Sequence, residues 1–298
     1  MDGVFNIFKP KGLSSHDIVR EVRKILGIRK VGHTGTLDPN ASGVLPICVG
    51  KATRTSEYLL DSNKTYIAEL TLGYETDTQD EDGKVLKQSD KIVSKTDIIR
   101  IFEFFKGEVY QLPPMYSALK YKGKKLYELA REGIEVERKK RKVYIYDMDI
   151  LNIENNKILF RVKCSRGTYV RTLCNDIGRM LGTYGYMSYL MREEVYPFNI
   201  EEAISLETLF IKNANKEIED ILIPMDYGLK CFKSFDFPPY LWKKLSNGEK
   251  IKLNNLDIFT DIEIEENLRI YCKDTFIGIG KITNKNKELI FKMDKVLL

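Results

Sequence analysis

The stretch GHTGTLDPNASGVLPICVG, from Gly32 to Gly50, carries a single charge, Asp38, in a chain of which 31% of residues are charged. It also holds His33, one of only two histidines. Gly32, Gly35 and Gly43 permit positive φ and close backbone approach, and Pro39 and Pro46 restrict φ. This composition predicts a stiff, shaped loop, and loops held on a rigid scaffold often carry function. Taken alone, Leu37-Asp38-Pro39 is a turn in which the aspartate bonds its own backbone. In its setting the same residue is one carboxylate in fixed geometry, as a nucleophile or general base requires. His33 is either a locally satisfied polar residue or a flat ring available for stacking on a base.

Around this stretch the pattern alternates between helix and strand. GVFNIFKPKG reads as a strand ending in a turn. Ser14 or Ser15 caps a helix with apolar positions Ile18, Val19, Val22, Ile25 and Leu26, stopped at Gly27. ATRTSEYLL is a short helix. KTYIAELTLGYETDTQDEDGKVLKQ alternates and contains Asp82-Gly83, a hairpin signal. SKTDIIRIFEFFKGEVYQLPP is an amphipathic helix running into a proline stop. The 141–181 segment is predicted as two strands around Asn155-Asn156 and then a helix, and EEAISLETLFIKNANKEIEDILI as helical. A Pro- and aromatic-rich break near Lys230 marks a boundary. Beyond it EKIKL, DIEIEENLRIYC, FIGIGKI and ELIFKM form a small β module. Two domains are expected, residues 1–229 and 230–298.

The bulk numbers exclude several classes. Hydrophobic residues make up 43% of the chain, enough for a core, and the net charge of +5 suits an anionic partner without requiring one. No apolar run is long enough for a membrane span, and no signal-peptide pattern opens the chain, so a cytoplasmic protein is expected. The five cysteines are widely spaced, without a CxxC pair, and are predicted as small buried residues. With two histidines, a His/Cys zinc site is not expected. TDTQDEDG fails as a calcium loop because Ser89 stands where the twelfth-position glutamate belongs. GIGK, ending at Lys281, lacks the spacing of a phosphate-binding loop.

Three further segments carry candidates. In CSRGTYVRTL, a strand end would put Tyr169 and Arg171 on one face, with Arg171 able to orient an acid. An ordinary surface strand explains the same residues. Tyr66, in KTYIAEL, is by default a core or cross-strand tyrosine. From Lys120 to Val143, ten basic residues against four acids leave a local balance of +6, with Tyr121 and Tyr127 interleaved. That suits nucleic-acid binding, and a solvated loop and helix face would look similar.

Together FKPKGLSS, GHTGTLDPNASGVLPICVG, DSNKTYIAELTLGYETDTQDEDG, PPMYSALKYKGKKLYELAREG, CSRGTYVRTLCNDIG and YLMRE resemble the bacterial tRNA pseudouridine synthase B family, in the family's order. The C-terminal module is similar to the small RNA-binding β-barrel called PUA. The resemblance implies an α+β fold: a large, mainly antiparallel mixed sheet flanked by helices, plus that barrel. It implies conversion of uridine 55 in the T-loop of tRNA to pseudouridine by base flipping, without cofactor or metal. By the same resemblance Asp38 is the catalytic aspartate, and Tyr66 stacks on the target base. Tyr169 lines the pocket, Arg171 pairs with the aspartate, and Leu190 is an apolar wall. His33 fills the gap left by the flipped nucleotide. Arg54 stands where many members carry lysine, and its role is left open. The implied partner is tRNA, through its T-loop and acceptor–T arm, bound by a monomer with no guide RNA and no membrane. Around ETDTQDEDG and PPMYSALKYKGKK the chain looks like the stand-alone bacterial branch, not the RNA-guided one.

Overall fold

Local capping rules are followed at the first helix, Ser15–Leu26. The Asp17 N–H donates to Ser14 Oγ at 3.1 Å, and the Ser14 N–H donates back to Asp17 Oδ2 at 2.8 Å. Gly27 closes the helix in the left-handed conformation, at φ 66°. The computed structural model describes residues 1–253, 263–285 and 288–298.

Among these residues a nine-stranded sheet forms the body. Its path runs through strands Gly3–Lys9, Ser42–Val49, Gly185–Val195, Lys64–Leu72, Lys157–Cys164, Arg141–Glu154 and Gly107–Gln111. Val31–His33 and Phe198–Asn199 pair off this path. Every pairing is antiparallel except that of Gly185–Val195 with Ser42–Val49, where Met191 faces Ser42 and Arg192 faces Gly43. The mainly antiparallel mixed sheet is as expected.

Helices Ser15–Leu26, Lys95–Phe104, Val170–Met180 and Leu206–Ala214 contribute to the main core. Phe5, Ile7, Leu45, Ile47, Ala68, Leu70, Phe160 and Val162 supply the sheet side of that core. The other face of the sheet is covered over Gly3–Lys9 and Ser42–Val49. There Val4, Val44, Cys48, Leu59, Phe198 and Leu229 pack with Ile279 from the C-terminal part.

The C-terminal residues form a curled half-barrel of five strands: Ser234–Phe237, Leu268–Cys272, Thr275–Lys285, Glu288–Val296 and Ile251–Lys252. It has its own core, with Phe237, Leu245, Leu268, Ile270 and Phe291 at its centre. Of the predicted run DIEIEENLRIYC, Asp261 and Ile262 lie outside the described residues.

Four local expectations are corrected. The predicted loop from Gly32 to Gly50 is half strand: Ser42–Val49 is buried on both faces, so it reads as an uncharged run rather than an alternating one. GEVYQ, assigned to a helix, is the edge strand Gly107–Gln111. The helix near residue 206 spans only Leu206–Ala214, with a short 3-10 turn at Ile218–Asp220. Cys231 is exposed, while Cys48, Cys164, Cys174 and Cys272 are buried as expected.

Candidate active site

Asp38 sits in a turn whose neighbours are pinned on both sides. Ser15 Oγ donates to the Leu37 carbonyl at 2.9 Å and accepts from the Leu37 N–H at 2.8 Å. Lys9 Nζ donates to the carbonyls of Leu13 (2.6 Å), Pro10 (2.9 Å) and Pro39 (3.2 Å). Lys9 is fully buried, and burial pushes its amine down to about 8. The carboxylate itself remains 43% exposed at the cleft.

Arg171 meets it from the other side. Its guanidinium lies 3.1 Å from Asp38 Oδ2 and 3.0 Å from Asp80 Oδ2. The same fork donates to the Tyr116 carbonyl at 2.9 Å. Arg171 is not on a strand end. It is the second residue of helix Val170–Met180, with Tyr169 at the N-cap. Alternation therefore gave the wrong local geometry, yet both side chains reach the cleft, and so does Val170. Tyr169 is clamped by Gln111, whose side-chain amide accepts from the Tyr169 N–H at 3.0 Å and donates to its carbonyl at 3.2 Å.

The cleft has a volume of about 370 Å³. Asp38, Tyr66, Tyr169, Arg171 and Leu190 line it together. Tyr66 is 9% exposed, and burial pushes its phenol up to about 12, so it stays protonated through neutral pH. His33 is not among the lining residues. It ends strand Val31–His33, and its Nδ1 accepts from the Gly35 N–H at 3.2 Å. Burial, and then the charge of Arg192, pull its imidazole below the ordinary value of 6.5.

Sequence reasoning missed Asp80, Lys64, Arg166 and Arg192. Asp80 belongs to the acidic loop that fails as a calcium site, and its partner lies 91 residues away. Lys64 donates to the carbonyls of Leu60 and Ser62, at 3.1 and 2.6 Å, and burial pushes its amine down to about 8. Arg166, on the rim, pairs with Asp61. Arg192 is buried at the base of the cleft. Arg54 donates to the Val296 carbonyl of the C-terminal sheet at 2.7 Å, so its described contact is between the two parts of the chain. In the basic segment, Arg138 pairs with Glu135 and Lys142 with Glu108, while Lys139 and Lys140 are exposed.

An arginine-held aspartate beside two tyrosines and an apolar wall, in a cleft among many cations, suits an uncharged ring carried on an anionic chain. Comparison with known families narrows this further. The profile of the TruB family pseudouridylate synthase N-terminal domain matches residues 23–170, and that of the tRNA pseudouridylate synthase B C-terminal domain matches residues 171–230. The chain belongs to the TruB family. It is 48% identical to a tRNA pseudouridine synthase B of Alkaliphilus oremlandii, over 96% of this chain and 95% of that one. It is 45% identical to a protein of the same name from Clostridioides difficile, over the full length of both. Among solved structures it resembles a chain in a crystal structure of a Cbf5-Nop10-Gar1 complex, with TM-score 0.79 and 28% identity, covering 99% of this chain and 85% of that one. A chain in the structure of an H/ACA RNP bound to a substrate RNA gives TM-score 0.76 and 26% identity, with the same coverage. The TruB fold is thus shared with these particles, while the sequence lies nearer the bacterial tRNA enzymes. No helix among the described residues is long and apolar enough to cross a membrane.

Proposed function

We propose that the cleft receives one uridine turned out of the folded T-loop of a tRNA, and that Asp38 is the carboxylate that rearranges it. As a TruB family member the chain is a tRNA pseudouridine synthase, and its product is pseudouridine 55. The reaction breaks the bond from C1′ to N1, turns the uracil, and joins C1′ to C5. The C5 proton leaves, and N1 ends as N–H. Atoms and electrons balance within the nucleotide, so one well-placed carboxylate is sufficient as nucleophile or base. The observation that carries this reading is the 3.1 Å pair between Asp38 and Arg171 inside the cleft.

Tyr66 then stacks on the turned base, worth about 1–3 kcal/mol per base, against a flipping cost of a few kcal/mol. Tyr169 and Leu190 bound the pocket. His33, outside the cleft, takes the place in the RNA stack that the uridine vacates. Lys139 and Lys140, with Arg141 on the cleft rim, meet the phosphates of the T-loop and acceptor–T arm. Residues 1–229 form the catalytic domain and residues 230–298 an RNA-binding module. The enzyme works as a monomer in the cytoplasm without a guide RNA.

The test incubates purified protein with an unmodified tRNA transcript in buffer alone, and maps pseudouridine by carbodiimide and primer extension. Modification at the T-loop uridine only, lost in Asp38→Asn with tRNA binding retained, is the expected result. Normal turnover by Asp38→Asn removes the catalytic assignment. Activity that appears only when a guide RNA is added removes the stand-alone reading.

A further inference from the structure

Arg192 is 1% exposed and is the largest fully buried side chain among the described residues. No carboxylate pairs with it among the described residues. A buried cation without an acid is costly, and an apolar residue would fill the same space. Its side chain interacts with the Tyr66 hydroxyl, and three of its hydrogen bonds go to backbone carbonyls. Nε donates to Val44 at 2.7 Å, one terminal nitrogen to Gly35 at 3.2 Å, and the other to Thr36 at 3.4 Å.

Those partners belong to two different pieces of structure. Val44 lies on strand Ser42–Val49. Gly35 and Thr36 lie in the turn that leads directly to Asp38. The strand carrying Arg192 joins both neighbours at this point: Arg192 faces Gly43 on one side and Tyr66 on the other. The approach to Gly43 is so close that a Cβ there would lie 2.2 Å from the Arg192 carbonyl, and Gly43 has φ +114°. Backbone and side chain of one residue therefore bring together Tyr66, strand Ser42–Val49 and the turn before Asp38.

We infer that Arg192 is a positioning residue for the reaction: it fixes the Gly35–Thr36 backbone, and through it Asp38, against the strand that presents Tyr66. Only a guanidinium does this from one site, because its five N–H groups form a rigid fork that three carbonyls share. Ser15 at Leu37 and Lys9 at Pro39 fix the rest of the turn, so Arg192 supplies the anchor at its first residues. The inference rests on Asp38 being the catalytic carboxylate.

The test compares wild type, Arg192→Gln, Arg192→Lys and Asp38→Asn in the full chain. The melting temperature is read for each, and the single-turnover rate and tRNA affinity are measured below the lowest of them. Arg192→Gln is expected to lower the single-turnover rate by about 100-fold while changing tRNA affinity by less than about threefold. Arg192→Lys, which keeps a cation but loses the planar fork, is expected to recover part of the rate. A merely structural residue would lower the melting temperature and leave the rate of the folded enzyme unchanged. A wild-type rate in Arg192→Gln, or a loss of affinity equal to the loss of rate, overturns the inference. If Arg192→Gln does not fold, Arg192→Lys decides, and a wild-type rate there overturns it. An active Asp38→Asn would instead bring down the function on which the inference stands.

Discussion

Arg171→Met is the perturbation that best separates positioning of the carboxylate from binding of the tRNA. The Arg171 side chain is 9% exposed, so it is poorly placed to hold a phosphate of the RNA backbone. Its loss takes the ion pair from Asp38. With the carboxylate 43% exposed and the guanidinium 9% exposed, that pair is taken just above the range of surface pairs, at about 1.5 kcal/mol. Its loss also frees the carboxylate to rotate, and a misplacement of about 1 Å costs roughly a hundredfold, or about 2.7 kcal/mol. Together these give a roughly thousandfold fall in single-turnover rate. Asp80, with its side chain 19% exposed, is left without a cation, and the fold loses about 2 kcal/mol. The assay follows release of tritium from tRNA carrying 5-tritiated uridine, since C5 gives up its hydrogen in the reaction. Binding is measured in parallel on the same tRNA. A variant that turns over at the wild-type rate refutes the role of the pair. A variant that loses affinity as much as rate shows that Arg171 holds the RNA and not the carboxylate.

Two other substitutions test the charged surroundings. Lys139→Ala with Lys140→Ala is expected to weaken tRNA binding and to reduce the slope of log affinity against log salt by about 1.5, as loss of two phosphate contacts requires. An unchanged slope would remove this segment from the interface. His33→Asn tests the lowered imidazole: the unfolded chain takes up the proton first, so wild type loses stability as pH falls through and below 6.5. Denaturant titrations from pH 7.5 to 5 should show this loss in wild type and a smaller one in the variant, and parallel curves would show that His33 titrates normally.

What the sequence made legible was what short-range rules decide. The serine cap, which the structure assigns to Ser14 of the two candidates, the Gly27 stop, the Asn155-Asn156 turn and the hairpin around Asp82-Gly83 each depend on a few consecutive residues. Asp38 stood out because a lone charge among glycines and prolines is a local anomaly. Arg171 was found, but on the wrong element, because three alternating residues look alike at the end of a strand and at the start of a helix. Asp80 was hidden for a different reason. An aspartate in an acidic, Gly-bearing loop looks like a solvated turn until an arginine 91 residues later is folded against it. Arg192 was the least visible. In YLMRE an arginine alternating with leucine is an ordinary strand residue, and its meaning depends on which strands flank it. That order, with Gly185–Val195 parallel to Ser42–Val49 and antiparallel to Lys64–Leu72, is a property of the whole chain. The residues most exposed to misreading are thus those whose partners are backbone carbonyls brought from afar. A carbonyl has no sequence identity, so no motif announces the side chain that binds it.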